Sequence, residues 1–170
     1  YSYTKWTHTS ILRYLSMKHN INISPDGKYF VKGNIDSVAI LIDIETGKMV
    51  RAFEGHKKAV LSMDFSKDGK MLLTAGGDGI IKLWDVASGK ELKSISAHQE
   101  LIFDAKFSND NKMIVTGSWD GSTRIWSVNT GEQIQYINNE SNSAYTVNFT
   151  PNDLYLVTGD LDKNVKYWEV

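Results

Sequence analysis

Short apolar runs broken by turn-forming residues recur along this chain, and the clearest set lies between residues 60 and 95. Val60-Leu61-Ser62-Met63-Asp64-Phe65 reads as a strand, and Ser66-Lys67-Asp68-Gly69 as the reversal after it. Lys70 to Ala75 forms the next run. Gly76-Gly77-Asp78-Gly79 follows as a hairpin turn whose glycines permit positive φ, and Ile80 to Val86 makes a third run. After the turn Ala87-Ser88-Gly89-Lys90, the segment Glu91 to Ile95 alternates polar with apolar, as a half-exposed outer strand does. The pattern predicts one unit of four antiparallel strands, a to d.

That unit returns every 42 residues, as Asp36, Asp78, Asp120 and Asp162 show, followed by Thr74, Thr116 and Thr158 and by Trp84, Trp126 and Trp168. Phe65, Phe107 and Phe149 end strand a, with Ile23 in the first unit, while Leu41, Leu83, Ile125 and Tyr167 share a column in strand c. The turn before strand d repeats as Thr46-Gly47, Ser88-Gly89 and Thr130-Gly131. A fixed period of this length marks a solenoid or propeller. Evenly spaced short strands, almost no helical periodicity and two prolines point to an all-β architecture with radial repetition. The units fall at about 12–53, 54–95, 96–137 and 138–170, with 1–11 either an outer strand or the remnant of a preceding blade. Tyr1 to Asn20 follow the period poorly: Ile11 aligns with Phe53, Ile95 and Ile137, but His8 stands where Val50, Leu92 and Ile134 stand elsewhere.

Composition narrows the classes of function. With 41% apolar and 23% charged residues, the chain has the make-up of a soluble globular protein. Its longest aliphatic run, Val38 to Ile42, is far short of the roughly 20 residues a spanning helix needs, so no membrane association is expected. Nineteen Lys and Arg against 20 Asp and Glu leave a net charge of -1, without the cationic excess that direct nucleic-acid binding demands. The absence of cysteine excludes disulfides and thiolate metal sites and is compatible with a reducing compartment, cytoplasmic or nuclear.

Gly55-His56 ahead of strand a, Asp78 in the b–c turn and Trp84-Asp85 at the end of strand c resemble the WD40 repeat, over about residues 12 to 170. The resemblance implies a β-propeller whose blades are four-stranded sheets around a central channel. Rings of this family generally have seven blades, so the four units would be the C-terminal part of a longer ring. Val170 ends strand c of the fourth unit, and in this family the missing outer strand is characteristically supplied by the chain's N-terminal segment. An alternative is that two copies assemble into an eight-bladed ring, with Thr7 to Ile11 of one completing the last blade of the other; an incomplete ring would expose edge strands and apolar blade faces that invite self-association.

The resemblance also implies a hydrogen-bonded tetrad within each blade, supplied here by His56, Thr74, Asp78 and Trp84 and by His98, Thr116, Asp120 and Trp126. Buried polar groups of these kinds must satisfy one another, since each left unpaired costs on the order of 1–3 kcal/mol. A hydrolytic triad would need one convergent site, whereas this set recurs blade by blade, so a structural staple and no enzyme activity are expected. His56 and His98 belong to separate units, so neither a metal nor a cofactor is expected. Gly76 to Gly79 joins two strands and opens no helix, which favours a plain hairpin over a phosphate loop. The fourth unit retains Thr158, Asp162 and Trp168 but has Glu140 where histidine is expected; the first has Tyr14, Lys32 and Ile42 in place of His, Thr and Trp.

Propeller folds host many functions, so a site must rest on particular residues. Leu61, Phe103 and Tyr145 share a column of strand a that, by resemblance, lines the top rim of the channel, and Trp119 occupies the b–c turn where Ile35, Gly77 and Leu161 stand in the other units. These four are the candidates for docking other proteins or peptides, since aromatic surfaces are enriched in binding hot spots. The plainer reading is that they pack on one another or on neighbouring blades. Lys57-Lys58 would add a polar rim, although so short a charge pair is ordinarily a solvated face. The expected function is a non-catalytic protein-interaction scaffold. Ile23 to Tyr29, Asn34 to Asp36, Asp43 to Lys48 and Glu54 to His56 resemble repeats of subunits in RNA-decay and transcription-elongation complexes. The alternative is a propeller enzyme or small-ligand binder using the channel mouth.

Overall fold

The strand-forming runs and the glycine- and aspartate-bearing turns between them produce an all-β chain in the computed structural model, which describes residues 21–34, 36–139, 143–160 and 162–170. The expected outer strand or remnant within Tyr1 to Asn20, including Thr7 to Ile11, lies outside the described residues, as do Tyr14, Ile35, Glu140 and Leu161.

Among the described residues, fifteen strands form four antiparallel sheets, each a meander in chain order. The first blade holds β1 (Ile21–Ile23), β2 (Tyr29–Gly33), β3 (Val38–Asp43) and β4 (Met49–Glu54). The second holds β5 (Val60–Phe65), β6 (Met71–Gly76), β7 (Ile80–Asp85) and β8 (Glu91–Ser96), and the third β9 (Ile102–Phe107), β10 (Met113–Ser118), β11 (Ser122–Ser127) and β12 (Gln133–Asn138). Among the described residues the fourth has three strands, β13 (Thr146–Phe149), β14 (Tyr155–Gly159) and β15 (Val165–Glu169), where a fourth strand stands in the others. The antiparallel order puts every b–c turn and d–a loop at one end of the blades, the top, and the a–b and c–d turns at the other.

The core lies between blades. The forward face of the first blade, with Val31, Leu41 and Phe53, packs on Val60, Phe65 and Trp84 of the second. Leu73, Ile81 and Leu83 then meet Ile102, Phe107 and Trp126, and Val115, Ile125 and Ile137 meet Val147, Phe149 and Leu156. Burial of such side chains contributes about 1.5–3 kcal/mol each, so the seams between sheets supply most of the cohesion. The two outermost faces have the same chemistry and no described neighbour. Ile23, in the column of the buried Phe65, is 59% exposed, and Tyr167, in the column of Leu83, is 77% exposed.

The b–c turns hold one residue of each blade at positive φ: Ser37, Gly79, Gly121 and Lys163. Glycine is required at Gly79, where a Cβ would lie 2.3 Å from the carbonyl oxygen of His98 on the next blade's loop. At the bottom, Asn111 and Asp153 adopt φ of 60° and 56°. Their side chains reach back across the seam, Asn111 Oδ1 accepting from Lys67 N–H at 2.8 Å and Asp153 from Asn109 N–H at 2.8 Å and Asp110 N–H at 3.0 Å.

Candidate functional site

In the second blade the four polar residues form one directed chain. Trp84 Nε1–H donates to Thr74 Oγ1 at 2.8 Å, Thr74 Oγ1 lies 2.8 Å from His56 Nε2, and His56 Nδ1 lies 3.0 Å from both oxygens of Asp78. The network is satisfied when the imidazole is neutral with its proton on Nδ1, so that Nε2 accepts the threonine hydroxyl. Lys57 N–H and Ile80 N–H donate to the same carboxylate. The third blade repeats the chain through Trp126, Thr116, His98 and Asp120, at 3.0, 2.7 and 2.9 Å. There Asp120 also receives Ser122 Oγ–H at 2.6 Å and pairs with Arg124 at 3.4 Å.

Burial holds both imidazoles below the ordinary histidine value, outweighing the pull of their aspartates. Burial works to raise Asp78 and Asp120, but hydrogen bonds from Lys57 N–H to Asp78 and from Ser122 to Asp120, with the facing histidines, leave both below the usual carboxylate range. The pairs are therefore neutral imidazole on carboxylate. Thr74 and Thr116 have no exposed surface, so these hydroxyls meet no substrate, and the arrangement locks strands b and c to the loop before strand a.

Among the described residues, the fourth blade retains one link, Trp168 Nε1–H to Thr158 Oγ1 at 3.0 Å. Asp162, expected in a tetrad, is instead exposed and makes no side-chain hydrogen bond among the described residues. Its column has Glu140 in place of an imidazole, which removes the donor that would draw a carboxylate inward. The turn is closed by Asp160, which accepts from Asn164 N–H at 2.9 Å and Nδ2–H at 3.1 Å.

Three of the four docking candidates come together. The ring of Phe103 lies 5.5 Å from that of Trp119 and 4.8 Å from that of Tyr145, tilted at 50° and 55°. Trp119 remains 51% exposed, whereas Phe103, Tyr145 and Leu61 are half-buried. Phe103 and Leu61 stand outside the strand register: Ile102 and Asp104 pair with Ser118 and Gly117, and Val60 and Ser62 with Gly76 and Ala75, so each intervening residue is bulged. Such bulges re-aim a side chain. The bulge sends Phe103 toward the top rim, where Trp119 is anchored by its N–H to Leu101 C=O at 3.0 Å.

The model of the WD domain, G-beta repeat family matches residues 47–85, 89–127 and 131–169, which together make up more than half of the chain. The chain belongs to the WD40 repeat family. No curated protein matches it. Each WD40 match begins just before an outer strand and ends with strand c of the following blade, so the sequence repeat is offset from the structural blade and ties neighbouring sheets together. WD40 repeats generally mediate protein–protein interactions, and WD40 proteins are typically non-enzymatic scaffolds.

Other functional-grade polar residues were not singled out by the sequence. Asp104, 6% exposed, accepts from Ser62 Oγ at 3.0 Å, Ala105 N–H at 3.1 Å, Thr146 Oγ1 at 3.1 Å and Val147 N–H at 3.2 Å, joining the second, third and fourth WD40 blades. Asp64 does the same between Asn22 and Phe107 N–H, with Lys106 at 3.6 Å. The signal for them was a polar residue on a strand otherwise buried on both sides. Among the described residues no group of three His, Asp or Glu converges to hold a metal ion. Two open grooves of about 600 and 460 Å³ lie on successive outer seams, bordered by Arg51 and Lys93, and those two side chains are engaged by main-chain carbonyls of the next blade.

Proposed function

We propose that this WD40 chain is a non-catalytic platform that docks other proteins or peptides through the top-rim cluster of Phe103, Trp119 and Tyr145. The observation that carries this reading is a tryptophan half exposed in a tight turn and packed on the ring of Phe103, which in turn packs on Tyr145. Exposed aromatic anchors held by a half-buried supporting ring supply large contact area at small entropic cost, the property shared by binding hot spots. Trp119→Ala should lower partner capture by the full-length protein about tenfold or more while leaving the thermal melt nearly unchanged. A variant that unfolds yet binds normally in its folded fraction removes the site assignment.

Within that role, a subunit of an RNA-decay or transcription-elongation complex is the finer reading. It is supported by Ile23 to Tyr29, Asp43 to Lys48 and Glu54 to His56, which resemble repeats of the superkiller-complex WD-repeat subunit, and it places the protein in the cytoplasm, the nucleus or both. Affinity capture of the full-length protein followed by mass spectrometry tests it, and recovery of no RNA-processing or transcription factors removes it.

The two-copy, eight-bladed ring is a second reading, favoured by the apolar outer faces. Val165 and Tyr167, each 77% exposed on the fourth blade, are matched by Ile21 at 62% and Ile23 at 59% on the first. A monomeric mass for the full chain in solution rules it out.

A further inference from the structure

A lysine pair stands on the rim one blade away from the aromatic cluster and is linked to it by a continuous path of contacts. Lys57 and Lys58 are exposed on the d–a loop of the second blade and form no salt bridge with any described residue. A Cβ at Gly77 would lie 3.3 Å from Lys58 Cβ, so this side chain rests on the b–c turn position that Trp119 occupies in the third blade. Two residues further, Gly79 packs on the backbone carbonyls of His98 and Glu100, and the adjoining Leu101 carbonyl receives both Trp119 N–H and Ser118 Oγ–H. Lysine pair, glycine turn, third-blade loop and tryptophan are thus one surface. Adjacent sheets stack about 10 Å apart, which is about three residues of extended chain.

From this juxtaposition we infer that the partner segment is an extended acidic peptide that places an apolar side chain on Trp119 and Phe103 and carboxylates about three residues away over Lys57 and Lys58. The inference deepens the docking reading above and rests on it. The missing tryptophan side chain at Gly77 is what leaves the path to the lysines open, and the tetrad beneath fixes it, because Lys57 N–H is bonded to Asp78. Glu100 is the anionic side chain on the intervening loop, exposed and without a salt bridge to any described residue. It opposes an acidic ligand and so selects against carboxylates placed directly beside the aromatic anchor.

The test uses the full-length protein and three fluorescein-labelled peptides: one with paired glutamates three residues ahead of a leucine, one with lysines in place of the glutamates, and one with the leucine replaced by serine. The glutamate–leucine peptide should bind with an affinity that falls as salt rises, and the lysine peptide should bind about tenfold or more weaker. Lys57→Gln combined with Lys58→Gln should weaken the first peptide by about five- to tenfold and flatten its salt dependence, whereas Glu100→Gln should tighten it. Both changes are on exposed side chains outside the tetrads. Equal binding of the glutamate and lysine peptides, with Trp119→Ala still abolishing both, overturns the acidic-ligand inference and leaves the docking site standing. Binding of the glutamate peptide that survives both Trp119→Ala and the leucine-to-serine change overturns the docking site itself.

Discussion

His56 Nδ1 lies 3.0 Å from both carboxylate oxygens of Asp78, while the opposite ring nitrogen takes the hydroxyl hydrogen of Thr74. Protonating that imidazole would point a second N–H at an oxygen already receiving Trp84 Nε1–H and would turn the threonine hydrogen out of its only imidazole acceptor. The folded state therefore resists the proton that the unfolded chain accepts. His56 and His98 stand below their ordinary value of 6.5, so the unfolded state binds more protons as pH drops through that value and stability falls with it. Asp78 and Asp120, below 3.8, extend the loss to lower pH, and Asp64, raised by burial, opposes it there. Urea midpoints should decline from about pH 7 to about pH 5, and His56→Gln with His98→Gln should flatten that decline. A wild-type midpoint constant over this range contradicts the neutral-imidazole assignment.

Equivalent positions in the repeat should respond unequally. Asp78→Ala removes an acceptor from His56 and from two backbone N–H groups and should cost about 1–3 kcal/mol in chemical denaturation. Asp162→Ala, at an exposed turn, should stay within about 0.5 kcal/mol.

Two glycines with nearly the same φ separate strain from collision. Gly27, at φ 71°, has no atom near a would-be Cβ, so Gly27→Ala should cost about 1–2 kcal/mol from the left-handed backbone. Gly79, at φ 72°, would drive its Cβ into the next blade's loop, so Gly79→Ala should cost clearly more, about 3 kcal/mol or above. Equal thermal shifts for the two variants would show that the blade seam yields at this point.

Asp104→Ala should cost about 3–5 kcal/mol, because it leaves the buried donors Ser62 Oγ–H and Val147 N–H, on two different blades, without this acceptor at once, at about 1–3 kcal/mol each. Hydrogen exchange at Val147 N–H, bonded directly to this carboxylate, should accelerate ahead of the second-blade strands. Uniform acceleration across all blades would contradict a local role.

The 42-residue recurrence of Asp78, Thr74 and Trp84 was enough to reveal four related units, the order of strands within them and the polar set beneath the b–c turns of the second and third. These depend on neighbours within about one unit of chain, and a repeating pattern reports such neighbours directly. Tertiary structure alone decided what lies between units. Leu41 is 2% exposed and Tyr167 77% exposed in the same column, because one faces another blade and the other has no described neighbour. The ring contact of Phe103 with Tyr145 and the bonds from Asp104 to Ser62 and Thr146 depend on how one sheet rotates against the next. That rotation is set by the packing of side chains from separate repeats, so no single repeat encodes it.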